Sequence, residues 1–401
     1  MIELEAALQR ILASIPAPVS ERIPLSDAHE RILAEPAASP LDLPLFDNSA
    51  MDGYAVRAAD VAAAKADSPV RSRVRGKVAA GEVFPGELTG GDCVRLFTGS
   101  PLPRGADAVV MQEDTRAAAN APGEVLVLGA VRPWENVRLR GEDVKRGAVL
   151  AEAGDMLTPG KISLLAAVGA SEVRVGQRPT VGLLATGSEL REAGQPLAPG
   201  QIYESNRIGL AALARRAGAA PRIFLLVPDT LAATQAALEQ AASECDMVVT
   251  TGGVSVGETD FVKAAFERLG GKLQFWKVAI RPGRPFVFGT RGEKFLFGLP
   301  GNTVSALVTF LLLVRPALLR WQGAREVALP ACPGVLAESL ANPGERRHFM
   351  RVRVNAAGNV LSAGLQASHA LSSVAAANGL VDVPARTTLA AGATVPVMRW
   401  D

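Results

Sequence analysis

The chain has 401 residues, too many for one ordinary hydrophobic core, so two to four domains are expected. It is 48% hydrophobic and 20% charged, and a formal net charge of only +2 excludes a nucleic-acid binder that relies on bulk charge. Cys93, Cys245 and Cys332 form no C-x-x-C pair and His29, His348 and His369 no H-E-x-x-H, which argues against structural zinc or a disulfide framework and for a reducing, cytoplasmic compartment.

The first residues, MIELEAALQRILASI, carry acids at Glu3 and Glu5 and read as an amphipathic helix, not a signal peptide. Pro-punctuated extended chain follows to residue 43. From about 70 to 150, short Val-rich runs broken by Gly and Pro predict a small barrel-like β domain. A helix is expected from Pro159 to Gly169, with its boundary residues in the usual places. From 177 to 323, strands near 180–185, 222–227, 246–250 and 294–298 alternate with helices near 206–217, 230–243, 259–269 and 303–321. That alternation predicts a doubly wound parallel sheet with helices on both faces. The apolar run TVSALVTFLLLV at 303–314 is followed by Arg315 and Pro316 and reads as a buried core helix, not a membrane span. Short strands return from 324 to 401 and suggest a separate all-β domain.

Three predicted strands end in similar loops. Thr186-Gly187-Ser188-Glu189 follows the first. Gly252-Gly253, then Ser255, Gly257, Glu258 and Asp260, follow the third, and Pro300-Gly301-Asn302 the fourth. Loops at the carboxyl ends of parallel strands are where open α/β sheets bind ligands, and their glycines and helix starts favour a phosphate. Neither the P-loop lysine nor G-x-G-x-x-G is present. Asp52, Asp143, Glu189, Asp229 and Asp260 all lie at turns or strand ends, where a cluster of carboxylates would hold magnesium. Lys277, Arg281 and Arg284 in FWKVAIRPGRPF offer the opposite charge. On an extended strand Lys277 and Arg281 would face one side and hold an oxyanion. Arg351 and Ser368 are further donors.

In order, FDNSAMDGYAVR (46–57), FTGSPLPRGADAVVMQED (97–114), RGED (140–143), TGSEL (186–190), TTGGVSVGETDF (250–261), FWKVAIRPGRPF (275–286) and LPGN (299–302) closely resemble the molybdopterin molybdenumtransferase family, that of MoeA and the gephyrin E domain. The resemblance spans nearly the whole chain. It implies magnesium-dependent insertion of molybdate into adenylylated molybdopterin, giving molybdenum cofactor and AMP. It implies a multidomain α/β fold: an extended linker domain (1–43 with 141–176), an inserted small β domain (44–140), a MogA-like α/β domain (177–323) and a C-terminal β domain (324–401). It further implies a homodimer, with the site formed between the α/β domain of one subunit and the inserted domain of the other. A MogA-like adenylyltransferase and molybdoenzyme apoproteins are the partners implied, without nucleic acid or membrane.

By the same resemblance Asp52, Asp143, Glu189, Asp229 and Asp260 are the catalytic acids, and Glu189, Asp229 and Asp260 the metal ligands. Thr98, Gly252, Gly253, Ser255, Lys277, Arg281, Pro300, Arg351 and Ser368 bind substrate. Departures are Arg281 and Arg284 where lysine is common, Thr303 after LPGN where proline is usual, and Pro228 before Asp229. A tungstate-inserting relative and a non-catalytic scaffold or carrier of the pterin stay open as alternatives, although the retained acids argue against the latter.

Overall fold

The computed structural model describes residues 1–254 and 261–400. The chain forms two compact units, one of 1–35, 153–158 and 172–401 and one of 36–152 and 159–171. The segments 1–43 and 141–176, expected to act together, are divided between them.

The first unit contains the expected α/β sheet. Its strand order is Ala220–Ile223, Thr180–Ala185, Met247–Thr251, Lys294–Leu299, Val287–Arg291 and Lys272–Trp276, the first four parallel and Val287–Arg291 antiparallel to both of its neighbours. The central strands lack polar alternation because both faces are covered. Leu183, Val249 and Phe297 pack on one face with the Asn206–Arg216 and Thr303–Trp321 helices. Leu184, Val248 and Leu296 pack on the other with Leu231–Glu244 and Val262–Arg268. Thr230 caps the third of these helices by accepting the Ala233 N–H at 3.2 Å.

Two local expectations are corrected and one is met. The strand expected near 222–227 begins at Ala220 and leaves the ladder after Ile223; Pro221 is tolerated because the strand lies at the sheet edge. The helix expected near 303–321 is found, running past Arg315 and Pro316. It passes through a π-helical turn, Phe310–Val314, which accommodates the missing proline N–H, and ends at Trp321. By length and composition these 19 residues could cross a membrane, yet 72% of the apolar window is buried in this unit's core. The run 275–289 is not one strand. Lys277 takes φ +70, Ile280–Arg281 pairs instead with Arg347–Val354, and the chain returns to the α/β sheet at Val287.

The C-terminal strands close on themselves. Arg347–Val354, Asn359–Ser362, Ala331–Leu336, Thr394–Arg399 and Gly379–Val383 pair in that order, and the last pairs back to the first. This five-stranded barrel surrounds Val352, Val360, Val381, Val395 and Val397, and closure leaves it no long free edge.

The second unit has a six-stranded mixed sheet in the order Ala108–Met111, Gly53–Val56, Asp92–Leu96, Val70–Val78, Glu124–Val127 and Thr115–Ala117. Among the described residues its outer strands are not paired with each other, so the expected barrel is an open sheet. Cys93, Val94, Val109 and Val110 fill its core.

Candidate active site

Parallel register sets the ends of three strands level, with Ala185 opposite Thr251 and Thr251 opposite Leu299. The turns that follow, with Ile202–Tyr203 and Asp229, line one cavity of about 430 Å³. Two glycines are required here. Gly252 has φ +82 and an added Cβ would lie 2.6 Å from the Thr186 carbonyl oxygen. Gly253 has φ +65 and a Cβ there would meet Val262 Cγ2 at 2.8 Å.

Glu189 and Asp229 both line this cavity. Ser188 donates its N–H to Asp229 at 2.9 Å, and its hydroxyl accepts the Asp229 N–H at 3.2 Å, so the two turns hold each other. Glu189 is exposed and has no ion-pair partner among the described residues. Ser255 and Asp260, with Gly257 and Glu258, lie outside the described residues. Two carboxylates with solvent access are a donor set that fits magnesium, which keeps several waters and needs few protein ligands. Among the described residues no group of three His, Cys, Asp or Glu side chains is placed to hold a metal.

Sequence reasoning missed two residues of this wall. Asn206 donates from Nδ2 to the Gly301 carbonyl at 2.8 Å and to Thr251 Oγ1 at 3.3 Å, tying two strand-end turns together. Glu204 also lines the cavity but is committed elsewhere. Its carboxylate, 2% exposed, bonds Arg207 Nε at 2.8 Å, while Arg207, 1% exposed, also reaches Glu192 at 2.8 Å and the Phe224 carbonyl. The sequence reading gives only a helix near 206–217 here, and the polar run Glu204-Ser205-Asn206 before it is the signal that could have marked this wall.

A second cavity of about 360 Å³ has Asn302 in common with the first and has the opposite charge. Arg281, Arg284 and Arg346 line it, with Pro300 and Ser368. None of the three arginines has a carboxylate partner among the described residues. Burial, then the Arg284 and Arg281 charges, lowers the Arg346 pKa, while its Nη1 is fixed on the Ile280 carbonyl at 2.7 Å. Asn302 Nδ2 donates to Ser368 Oγ at 3.3 Å across the shared wall. Gly283, at φ +107, brings the backbone so close that a Cβ would meet Thr309 Cγ2 at 2.3 Å.

Two expected donors stand elsewhere. Arg351 is fully buried behind this wall. Its Nη2 donates to the carbonyls of Leu365 (2.8 Å) and Ala367 (3.2 Å), and its Nε to Ser373 Oγ at 3.1 Å. It therefore holds the segment that presents Ser368, and Arg346 supplies the cation on the wall. Burial, with the Arg281 charge, pulls the Arg351 guanidinium down to about 10. Lys277 lies over the Trp276 ring, Nζ 3.6 Å from its centroid, and does not line the cavity with Arg281. The strand breaks between them, so the alternation argument fails. Beneath the arginines, His348 is 2% exposed with neither ring nitrogen partnered. Burial first, then Arg281, Arg351 and Arg346, lowers its pKa to about 4 and keeps it neutral.

Asp52, Thr98 and Asp143 belong to the other compact unit. There the Thr98 N–H and hydroxyl both donate to Asp52 Oδ1, at 2.8 and 2.9 Å. The backbone bond first, then the hydroxyl, holds the Asp52 carboxyl below its ordinary value. Asp143 is exposed, its N–H bonded to the Leu43 carbonyl at 3.1 Å.

Comparison with known proteins decides the family. Residues 2–169 match the MoeA N-terminal region (domain I and II), 182–320 a probable molybdopterin binding domain, and 333–400 the MoeA C-terminal region (domain IV). A molybdopterin molybdenumtransferase of Haemophilus influenzae is 39% identical, covering 99% of this chain and 98% of its own. The chain belongs to the molybdopterin molybdenumtransferase family. The Bacillus subtilis enzyme of that name is 36% identical over 99% of this chain and 94% of its own. A crystal structure of the molybdopterin biosynthesis moeA protein from Pyrococcus horikoshii superposes with TM-score 0.86, at 32% identity over the full length of both chains. As a molybdopterin molybdenumtransferase family member, the chain is a transferase of molybdenum cofactor biosynthesis.

Proposed function

We propose that the chain inserts molybdate into adenylylated molybdopterin, forming molybdenum cofactor and releasing AMP. The observation that carries this reading is the pair of cavities of opposite charge that meet at Asn302. The acidic one suits a metal-bridged pyrophosphate, because glycine backbone approaches closely and carboxylates stand at its rim. The basic one suits a tetrahedral dianion, because three unpaired guanidiniums and two hydroxyl or amide donors converge on it.

Glu189 and Asp229 would hold magnesium, with Asp260 by family resemblance. When bound, the ion would neutralise charge on the pyrophosphate and assist departure of AMP. Arg281, Arg284 and Arg346 orient the oxyanion, Ser368 and Asn302 fix its oxygens, and Gly252 and Gly253 admit the phosphate. Positioning and fixed charge then supply most of the rate. A cytoplasmic homodimer, a MogA-like adenylyltransferase as donor and molybdoenzyme apoproteins as acceptors belong to the same proposal, supported by the family resemblance.

The test is AMP release from the purified protein given adenylylated molybdopterin, magnesium, and either molybdate or tungstate. Oxyanion-dependent release that is lost in Asp229→Asn and without magnesium is expected, and the preferred anion separates a molybdate from a tungstate enzyme. Substrate binding with no release on either anion would leave a carrier of the pterin and defeat the catalytic reading.

A further inference from the structure

The unit that carries Asp52 and Thr98 holds a charge cluster that neither cavity uses. Along the Val70–Val78 strand, Arg71, Arg73, Arg75 and Lys77 occupy exposed positions. Arg71 lies 3.5 Å from Glu124, and Arg73 and Arg75 lie 3.0 and 3.7 Å from Asp92. Lys77 makes no ion pair among the described residues; Arg95 on the neighbouring strand makes none either, although its charge acts on Asp52.

A bulge sets these two side by side. Val74 pairs with Cys93, but the next pair is Lys77 with Arg95, so the first strand carries one extra residue. A regular ladder would place Leu96 opposite Lys77. Bulges near functional sites re-aim side chains, and here the result is two adjacent cations, an arrangement that destabilises a sheet. Both stand on one aromatic ring. Lys77 Nζ is 5.0 Å and the Arg95 guanidinium 5.5 Å from the Phe97 centroid, and Arg95 is also 4.9 Å from that of Tyr54. Gln112 Oε1 accepts from Arg95 at 2.5 Å and fixes its direction. The residue after Phe97 is Thr98, which grips Asp52.

We propose that Lys77, Arg95 and Phe97 form an anion subsite that takes a phosphate of the pterin–nucleotide substrate, Phe97 offering a face to its planar ring. The assignment of that ligand rests on the reading of Asp52 and Thr98 as substrate-facing residues. Two unpaired cations on an aromatic platform suit a phosphoester of a flat heterocycle better than a free metal oxyanion.

Calorimetric titration of the full-length protein with inorganic pyrophosphate and with ADP, at low and moderate salt, tests this without turnover. Arg284→Ala serves to account for the anion cavity of the other unit. Lys77→Gln/Arg95→Gln is expected to weaken or abolish one binding class by at least about tenfold and to flatten its salt dependence. Arg95→Lys should keep most of the affinity, and Phe97→Leu should weaken ADP more than pyrophosphate. Thermal midpoint is the readout that a structural role would not reproduce: relief of repulsion predicts an unchanged or higher value in the double variant. Affinities within twofold of wild type would overturn the proposal. So would a lowered midpoint combined with Arg95→Lys binding as poorly as the double variant. If the double variant does not fold, Lys77→Gln alone carries the same comparison. Because no AMP release is measured, a wrong assignment of the overall reaction would leave the result standing, whereas an absent subsite would not.

Discussion

The Arg207–Glu204 pair is the point where stability and site shape are most tightly joined. Replacing Arg207 with Met leaves the Glu204 carboxylate 2% exposed, its only remaining donor among the described residues the backbone N–H of position 207 at 2.8 Å. Breaking a buried pair from one side costs about 3–5 kcal/mol, since a charge is left without compensation. The lost partner of the Phe224 carbonyl adds to this, while the half-exposed Glu192 contributes roughly 0–1 kcal/mol. At about 2–4 °C per kcal/mol for a large domain, the melting transition of that unit should fall by roughly 10 °C. Asn206 is the neighbouring residue, so the Asn206–Gly301 bond and the acidic cavity should loosen as well. The assay is thermal melting followed by circular dichroism, beside AMP release. Arg207→Met/Glu204→Leu, which removes both charges, should recover at least half of the lost stability. A midpoint within about 3 °C of wild type in the single variant would refute the reasoning. A double variant less stable than the single one would refute it too.

Arg346→Ala should leave the melting midpoint nearly unchanged but raise the molybdate concentration for half-maximal AMP release by about tenfold or more, while Arg351→Ala should lower the midpoint first. The pair of melting curves and molybdate titrations checks both. Gly252→Ala drives a Cβ toward the Thr186 carbonyl at a left-handed φ, so about 1–3 kcal/mol of stability should be lost in urea titration, with cofactor formation. His348 is neutral in the folded chain with its pKa lowered to about 4, below the ordinary value, so its contribution is complete above about pH 6.5. It is lost as pH falls from there toward 4, by about 3 kcal/mol in all. Stability measured against pH should therefore be flatter over that window in His348→Leu than in wild type; parallel curves would contradict the assignment.

The loops that build the acidic cavity were legible because each follows an apolar strand whose end is marked by small residues, as in TTGG and ATGSE. Period and punctuation are local properties, so Thr180–Ala185, Met247–Thr251 and Lys294–Leu299 were readable as strands and their ends as candidate site. Lys277 does not stand beside Arg281 at the cavity because alternation presumes an unbroken strand, and the change of sheet between Trp276 and Ile280 depends on a partner, Arg347–Val354, about seventy residues away. Arg351 lies behind the wall for a reason equally invisible in the local sequence. An arginine on a strand has the same local signature whether it faces a cavity or holds carbonyls beneath one, and the barrel alone decides that Arg346 takes the wall.

The sequence by itself carried the resemblance to the family, the α/β alternation and the candidate acids and donors, because backbone preferences and short motifs are written residue by residue. Only the tertiary structure decided that Glu204 belongs to Arg207 and that Asn206 ties two turns. It also decided that three arginines face one cavity and that a one-residue bulge sets Lys77 beside Arg95. Those are relations between segments distant in sequence, fixed by register and packing, and no local pattern carries them.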